Sequence, residues 1–166
     1  GGSESIVTGL LPAGTYFVRV SGSANAAQMY RLSLTGERLT GIFLDESAGS
    51  TLVSESGLID SYTLRLGTVP AGVVQVTVAA DAQTQVSSDG VNFASSVVLN
   101  FSNTSPQTVS VRAIDDNLGE GNHLSLLTHT ITATDDPVDY PLSLSLPSVN
   151  VTVQDNDLAS FVRRAN

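Results

Sequence analysis

Short runs in which apolar and polar side chains alternate recur along the chain, and this period of two constrains its fold more than any other feature. In one run, Tyr62, Leu64 and Leu66 alternate with Thr63 and Arg65. The alternating runs cover residues 15–20, 28–34, 61–66, 73–78, 107–113 and 148–153. Because successive side chains of a strand point to opposite faces, each run predicts a strand with one buried face. Turn signals between the runs complete the pattern of an all-β, antiparallel β-sandwich.

A boundary near residues 36–40 divides the predicted strands into two groups. The two strands before it cannot bury both of their faces by themselves, whereas those after it suffice for a full sandwich. We therefore expect a β-hairpin appendage over residues 1–38, a sandwich over 39–157 and a linker or tail over 158–166. The open apolar face of the hairpin predicts packing on a neighbouring domain, on another copy, or in a swapped dimer.

The charge of the chain is strongly acidic and excludes several functions. Sixteen Asp and Glu residues oppose seven basic residues, all of them Arg, and the formal net charge is −9. Such a surface repels phosphate backbones, so we expect no nucleic-acid binding. The absence of Cys excludes disulfides, thiolate zinc sites and Cys nucleophiles. No apolar run approaches the ~18 residues of a membrane span, and no signal peptide is evident, so we interpret the chain as an internal fragment of a longer protein.

Acidic residues cluster where the predicted strands end. If the strands ending at Ile114 and Gln154 run in the same direction, their carboxylates meet at one pole of the sandwich. Carboxylates held together repel one another, and a divalent cation removes that repulsion. An oxygen-only ligand set favours Ca²⁺ over zinc or copper. The candidate ligands are Glu55, placed at the start of the first sandwich strand, Asp81, Asp115, Asp116, Glu120, Asp155 and Asp157.

Two other interpretations of these acidic residues stay open from the residues alone. Asp and Asn favour strand ends and turns for local reasons, because their side chains bond to nearby backbone groups. An excess of carboxylate can also serve solubility alone.

Three segments resemble a Calx-β domain, in their order and spacing. They are 53–57 (VSESG), 113–121 (AIDDNLGEG) and 149–157 (VNVTVQDND), and the resemblance covers about residues 41–157. It implies an immunoglobulin-like sandwich of about seven strands with calcium at one end. It also implies that the candidates named above are the ligands, with Asp81 matching more loosely. His123 stands where strong calcium binders of the family carry a carboxylate, and Asn156 interrupts the final acidic triplet, so we expect fewer or weaker sites.

The N-terminal segment resembles the end of a bacterial pre-peptidase C-terminal domain. The similarity rests on residues 10–20 (LLPAGTYFVRV) and 30–34 (YRLSL), within about residues 5–36. That family is a small β-sandwich found beside secreted hydrolases. The resemblance implies an accessory role and a secreted or cell-surface location in a bacterium.

Catalytic signatures are weak, and we expect no enzymatic activity. His123 and His129 lack a partner set for zinc, and His129 is expected in a strand with its ring at the surface or hydrogen-bonded. The sequence has neither a nucleophile elbow nor a phosphate loop. The adjacent Asp115 and Asp116 lack the aromatic platform of a glycosidase, since only 5% of residues are aromatic.

The sequence thus predicts a calcium-binding structural or interaction module of a larger exported or cell-surface bacterial protein. Its partners would be neighbouring domains of the same parent chain, and a protein or cell-surface ligand. The alternatives are an accessory domain of a secreted hydrolase and a metal-free spacer or adhesion module, the last using the acidic pole or an exposed loop over residues 82–92.

Overall fold

The computed structural model of the chain describes Phe17 and residues 40–157. The elements in this part of the chain all belong to one of two compact units, Gly36–Asn166. Apart from Phe17, the expected hairpin over 1–38 lies outside the described residues, and so do the expected tail over 158–166 and any dimer contact through the hairpin. Across the described ranges, no helix has the length and apolar character that crossing a membrane requires.

The described residues form nine β-strands in two sheets, which confirms the all-β sandwich. One sheet has the order β1-β3-β7-β5 and the other the order β2-β9-β8-β4-β6. The strands are β1 (Ile42–Glu46), β2 (Thr51–Ser54), β3 (Ile59–Leu66), β4 (Val74–Ala80), β5 (Thr84–Ser87), β6 (Ser96–Phe101), β7 (Gln107–Ala113), β8 (His123–Thr134) and β9 (Val149–Gln154).

The core lies between the two sheets, and in four strands it contains the residues that the alternation assigns to the inside. Val74, Val76 and Val78 of β4 are completely buried, and the intervening Gln75 and Thr77 are partly exposed. The same arrangement recurs in β3, β7 and β9, where β-branched and aromatic side chains fit the pleated inner surface. The sequence pattern therefore predicts β3, β4, β7 and β9 and the faces that they bury, whereas β1, β2, β5, β6 and β8 lie outside the predicted runs.

One strand pair departs from the expected antiparallel arrangement. β2 pairs with β9 in parallel, from Thr51 opposite Val151 to Ser54 opposite Gln154. The chain reaches this position because β1 and β2 belong to different sheets and are joined by a short 3-10 turn over Ser47–Gly49. Asp60 of β3 fixes that turn by accepting hydrogen bonds from the Ser47 hydroxyl and, at 2.8 Å, from the backbone N–H of Leu52.

The segment 82–92, expected as an exposed loop, contains an edge strand. β5 occupies Thr84–Ser87 and pairs antiparallel with β7. Thr84, Val86 and Ser87 are fully buried. The expectation of a continuous exposed loop is wrong, because polar Thr84 is accommodated inside by a 2.7 Å hydrogen bond to the hydroxyl of Ser125.

Candidate metal centre

The turn that carries Glu55 is attached to the end of β9. Glu55 directly follows β2, so its expected position at the start of a strand is wrong. Its backbone N–H donates to the carbonyl of Gln154 at 3.0 Å, which continues the parallel pairing by one residue. Gly57 completes the turn with a φ of 104°, a conformation that costs glycine little. The Glu55 side chain therefore starts beside the residues that follow β9.

Three carboxylates from three strand ends meet at this pole of the sandwich. One oxygen each of Glu55, Asp115 and Asp157 lies within 4.8 Å of the other two. Glu55 follows β2, Asp115 comes soon after β7, and Asp157 comes soon after β9. Glu55 is buried, with 7% of its surface exposed. We call Glu55, Asp115 and Asp157 the three-carboxylate cluster.

Asn156 donates hydrogen bonds to two of the three carboxylates. Its backbone N–H donates to Glu55 Oε2 and its side-chain amide donates to Asp115 Oδ1, each at 3.3 Å. The sequence predicts Asn156 only as an interruption of an acidic triplet. The structure shows that the side-chain amide is a neutral donor to Asp115, which the carboxylate of another Asp could not be, whereas the contact with Glu55 comes from the backbone.

The electrostatics of the cluster disfavour three separate negative charges. Burial raises the pKa of Glu55, the Asn156 N–H opposes that rise, and the charges of Asp155, Asp116 and Asp157 add to it. The pKa of Asp157 is likewise raised, first by desolvation and then by Asp155, Asp115 and Asp116. Both shifts mean that ionised carboxylates at this pole are costly without a compensating positive charge.

The donor chemistry of the cluster fits Ca²⁺. Asp157 Oδ2 is inaccessible to solvent and has no hydrogen-bond partner among the described residues. A buried carboxylate oxygen without a donor is expensive, and coordination to a cation would satisfy it. The ligands that converge are all carboxylate oxygens, which a hard cation such as Ca²⁺ prefers, whereas zinc sites are built mainly from nitrogen and sulfur.

Asp155 and Asp116 lie next to the cluster and use their oxygens to bind backbone. Asp155 Oδ1 accepts from the N–H of Asp157 at 2.7 Å, and its Oδ2 accepts from the N–H of Gly121. These two hydrogen bonds lower the pKa of Asp155. Asp116 Oδ1 accepts from the N–H of Leu118 at 2.7 Å. Through its charge, Asp116 acts on both Glu55 and Asp157.

The structure does not bring Glu120 into the three-carboxylate cluster. Glu120 Oε2 accepts from the Gln83 side-chain amide at 2.9 Å and lies 3.8 Å from His123 Nε2. His123 Nδ1 contacts the carbonyl of Gly121 at 2.9 Å, so Nδ1 carries the hydrogen. Glu120 is therefore hydrogen-bonded to Gln83 and lies beside His123, outside the three-carboxylate cluster.

Asp81 likewise lies outside the cluster, and its carboxylate is hydrogen-bonded to the start of β8. Its carboxylate accepts from the Ser125 hydroxyl at 2.6 Å, from the Leu126 N–H at 2.7 Å and from the Gln83 N–H at 3.0 Å. Burial alone would raise the pKa of Asp81, but these hydrogen bonds outweigh it and lower the pKa. The sequence offers no local signal for the contacts with Ser125 and Leu126, which come from a distant strand.

His129 lies in β8, as expected, but its ring is buried. The ring is 6% exposed and its Nε2 lies 2.8 Å from the Tyr62 hydroxyl. Its Nδ1 lies 2.5 Å from the carbonyl of Pro147, which can only accept, so Nδ1 carries the hydrogen and Nε2 accepts from Tyr62. Burial lowers the pKa of His129. His129 is therefore a neutral core residue whose two ring nitrogens are both hydrogen-bonded.

A shallow hollow of about 400 Å³ borders the cluster. Its lining includes the carboxylates of Glu55 and Asp115, the side chains of Gln85 and Arg112, and apolar Ile59. Arg112 Nη2 donates to Gln85 Oε1 at 2.7 Å, and the guanidinium carbon lies 4.5 Å from the centroid of the Phe93 ring. The hollow therefore combines negative, positive and apolar side chains.

Comparison with known proteins gives similarity at the level of structure alone. A scan against protein-family models finds no match, and neither does a comparison with curated protein sequences. Among solved structures, the apo form of a Calx CBD1 domain gives a TM-score of 0.42 at 14% identity, over 70% of this chain and 98% of that chain. The calcium-binding domain CBD12 of CALX1.1 gives a TM-score of 0.44 at 16% identity, over 69% of this chain and 46% of that chain. The E. coli chaperone DraB gives a TM-score of 0.42 at 11% identity, over 74% of this chain and 58% of that chain. Similarity this low leaves the function to be argued from the site itself.

Proposed function

We propose that residues 40–157 form a non-catalytic module that binds Ca²⁺ at the three-carboxylate cluster and is stiffened by it. The observation that carries the proposal is the convergence of one oxygen each of Glu55, Asp115 and Asp157 within 4.8 Å, with no hydrogen-bond donor for the buried Oδ2 of Asp157 in the described part of the chain. The resemblance of segments 53–57, 113–121 and 149–157 to a Calx-β domain supports the same reading.

The cluster brings together three segments that follow strands of both sheets. Glu55 belongs to the β2–β3 turn, Asp115 to the β7–β8 loop and Asp157 to the segment after β9. β7 lies in one sheet, and β2 and β9 lie in the other. A cation at this position therefore clamps one sheet to the other at this pole, which is a structural role.

The setting that we propose is a larger exported or cell-surface bacterial protein. Neighbouring domains of the same chain would be the partners of the module, and the hollow beside Glu55 and Asp115 offers a second surface for a protein or cell-surface ligand. The N-terminal resemblance to a pre-peptidase C-terminal domain favours a secreted hydrolase as the parent, with this module as an accessory domain.

Thermal unfolding with and without calcium tests the proposal. A ligand that binds the folded state alone stabilises it by RT ln(1 + [L]/Kd), or about 2.7 kcal/mol at one hundred times Kd. For a domain of this size, we expect the midpoint to rise by roughly 10 °C in Ca²⁺ relative to EDTA, and by much less in Mg²⁺.

Matched variants separate the cluster from general charge effects. Asp115→Asn combined with Asp157→Asn should abolish the calcium-dependent rise. Asp45→Asn removes a charge from an exposed position on β1 and should leave the rise intact. A midpoint that does not respond to Ca²⁺ in the unaltered protein would contradict calcium binding and leave a metal-free spacer as the better description.

A further inference from the structure

The side chain of Asp155 continues the β8–β9 ladder beyond the end of both strands. β8 and β9 pair antiparallel, with His123 opposite Val153. Continuing the same register by two residues places Gly121 opposite Asp155. At this position the Gly121 N–H donates to the carboxylate Oδ2 of Asp155. The β7–β8 loop, residues 114–122, is therefore attached to β9 by a side chain where backbone pairing has already stopped.

Asp155 also holds the residues on its own side of the cluster. Its Oδ1 accepts from the N–H of Asp157 at 2.7 Å. The two oxygens thus bind backbone groups of two different segments, and these segments carry Asp115 and Asp157. Asp155 itself is not among the three carboxylates whose oxygens lie mutually within 4.8 Å.

We infer that Asp155 is a positioning residue, which holds the 114–122 loop closed against β9 in the ion-free protein, rather than a calcium ligand. The inference rests on the proposed function and adds how the site is prepared. The third segment is fixed independently, because the Glu55 N–H donates to Gln154. All three carboxylates are then in place before the ion arrives, so binding does not have to bear the entropy of closing the loop.

Asp155→Asn is the informative variant because it keeps the shape of the side chain. An amide carries one acceptor oxygen in place of two, so at least one of the Gly121 and Asp157 N–H groups loses its acceptor. Asp116→Asn is the matched control. It removes the same charge next to the cluster, but the hydrogen bond of Asp116 stays within its own loop, to Leu118.

The first measurement is amide hydrogen exchange of Gly121 and Asp157 by NMR in EDTA. We expect both amides to be protected in the unaltered protein and in Asp116→Asn. In Asp155→Asn, at least one of them should exchange at least about tenfold faster, the effect of losing a hydrogen bond to a charged group. Equal exchange in all three proteins would overturn the inference, because the carboxylate would then not hold the loop.

The second measurement separates positioning from ligation. Tb³⁺ serves as the probe for the calcium site, and its luminescence lifetimes in H₂O and D₂O give the number of bound waters. A positioning role predicts that Asp155→Asn weakens Tb³⁺ binding without changing that number, whereas Asp157→Asn adds a water. One extra water in Asp155→Asn would overturn the inference and make Asp155 a ligand.

The two proposals fail in different ways. If the unaltered protein does not bind Tb³⁺, the proposed function is wrong and this inference falls with it. If it binds Tb³⁺ but exchange of neither the Gly121 nor the Asp157 amide responds to Asp155→Asn, the inference alone is wrong.

Discussion

The buried His129 makes a specific prediction about acid sensitivity. In the neutral ring, Nδ1–H donates to Pro147 and Nε2 accepts from the Tyr62 hydroxyl. Protonation would place a hydrogen on Nε2 facing that hydroxyl, and the Tyr62 hydrogen would lose its acceptor. The charged ring would also be nearly without solvent, since it is 6% exposed. We therefore expect the folded state to resist protonation at this position.

The sign and the size of the effect follow from proton linkage. Burial lowers the pKa of His129 in the folded state. The contribution of His129 to stability is therefore fully present above the unfolded pKa of about 6.5 and is lost as the pH falls from there toward the folded pKa. Within that window the unfolded state binds up to one more proton, so the free energy of unfolding falls by at most about 1.4 kcal/mol per pH unit.

Urea unfolding from pH 7.5 to pH 5 in EDTA measures this dependence. Carboxylates also titrate toward the acid end, so the informative quantity is the difference between the unaltered protein and His129→Gln. Gln can still accept from Tyr62 but does not titrate. We expect this difference to be constant above pH 7 and to decline below about pH 6.5. A difference that stays flat down to pH 5 would refute the reasoning, because the ring would then be protonated in the folded state without penalty.

Three further substitutions have expected outcomes that the structure defines. Asp157→Asn should raise the urea midpoint in EDTA, since it removes a carboxylate whose pKa is raised, and should reduce the gain from Ca²⁺. A lower midpoint in EDTA would contradict the repulsion argument. Gly72→Ala should lower the free energy of unfolding in urea by about 1–3 kcal/mol, because a Cβ there would lie 2.5 Å from Cβ of Asp135. An unchanged midpoint would show that the segments carrying Gly72 and Asp135 move apart without cost. Tyr140→Phe should lower the free energy of unfolding by about 1–3 kcal/mol, measured by calorimetry. The buried hydroxyl accepts from the N–H of Thr68 at 2.9 Å and donates to the carbonyl of Thr68 at 2.7 Å. Tyr140→Leu should lower it further.

The strands that the sequence predicts well are those whose inner face is entirely apolar. Val74, Val76 and Val78 alternate with polar residues and are completely buried, so periodicity suffices to identify β4. β5 lacks this signal because its buried Thr84 is polar. The hydroxyl of Thr84 is hydrogen-bonded to Ser125, 41 positions away. Local patterns carry no information about such a remote partner.

The same distinction separates the parts of the candidate site. The convergence of Asp115 with Asp157 follows from where strands end, and sequence motifs indicate where strands end. The contacts of Asp81 and Glu120 depend on Ser125 and Gln83, which are 44 and 37 positions away. Their placement follows from how loops pack on a finished sandwich, and a strand-end pattern does not encode that packing.

The parallel pairing of β2 with β9 has a mechanical consequence. Tension that reaches β2 from its N-terminal side and β9 from its C-terminal side pulls the two strands along their axes in opposite directions. The ladder from Thr51 to Ser54 is then loaded in shear, with its hydrogen bonds sharing the force, instead of being opened one bond at a time. Glu55 and Asp157 follow these two strands, and the same sliding would draw them apart. A cation held between them would lie across the shear and resist the sliding of β2 along β9.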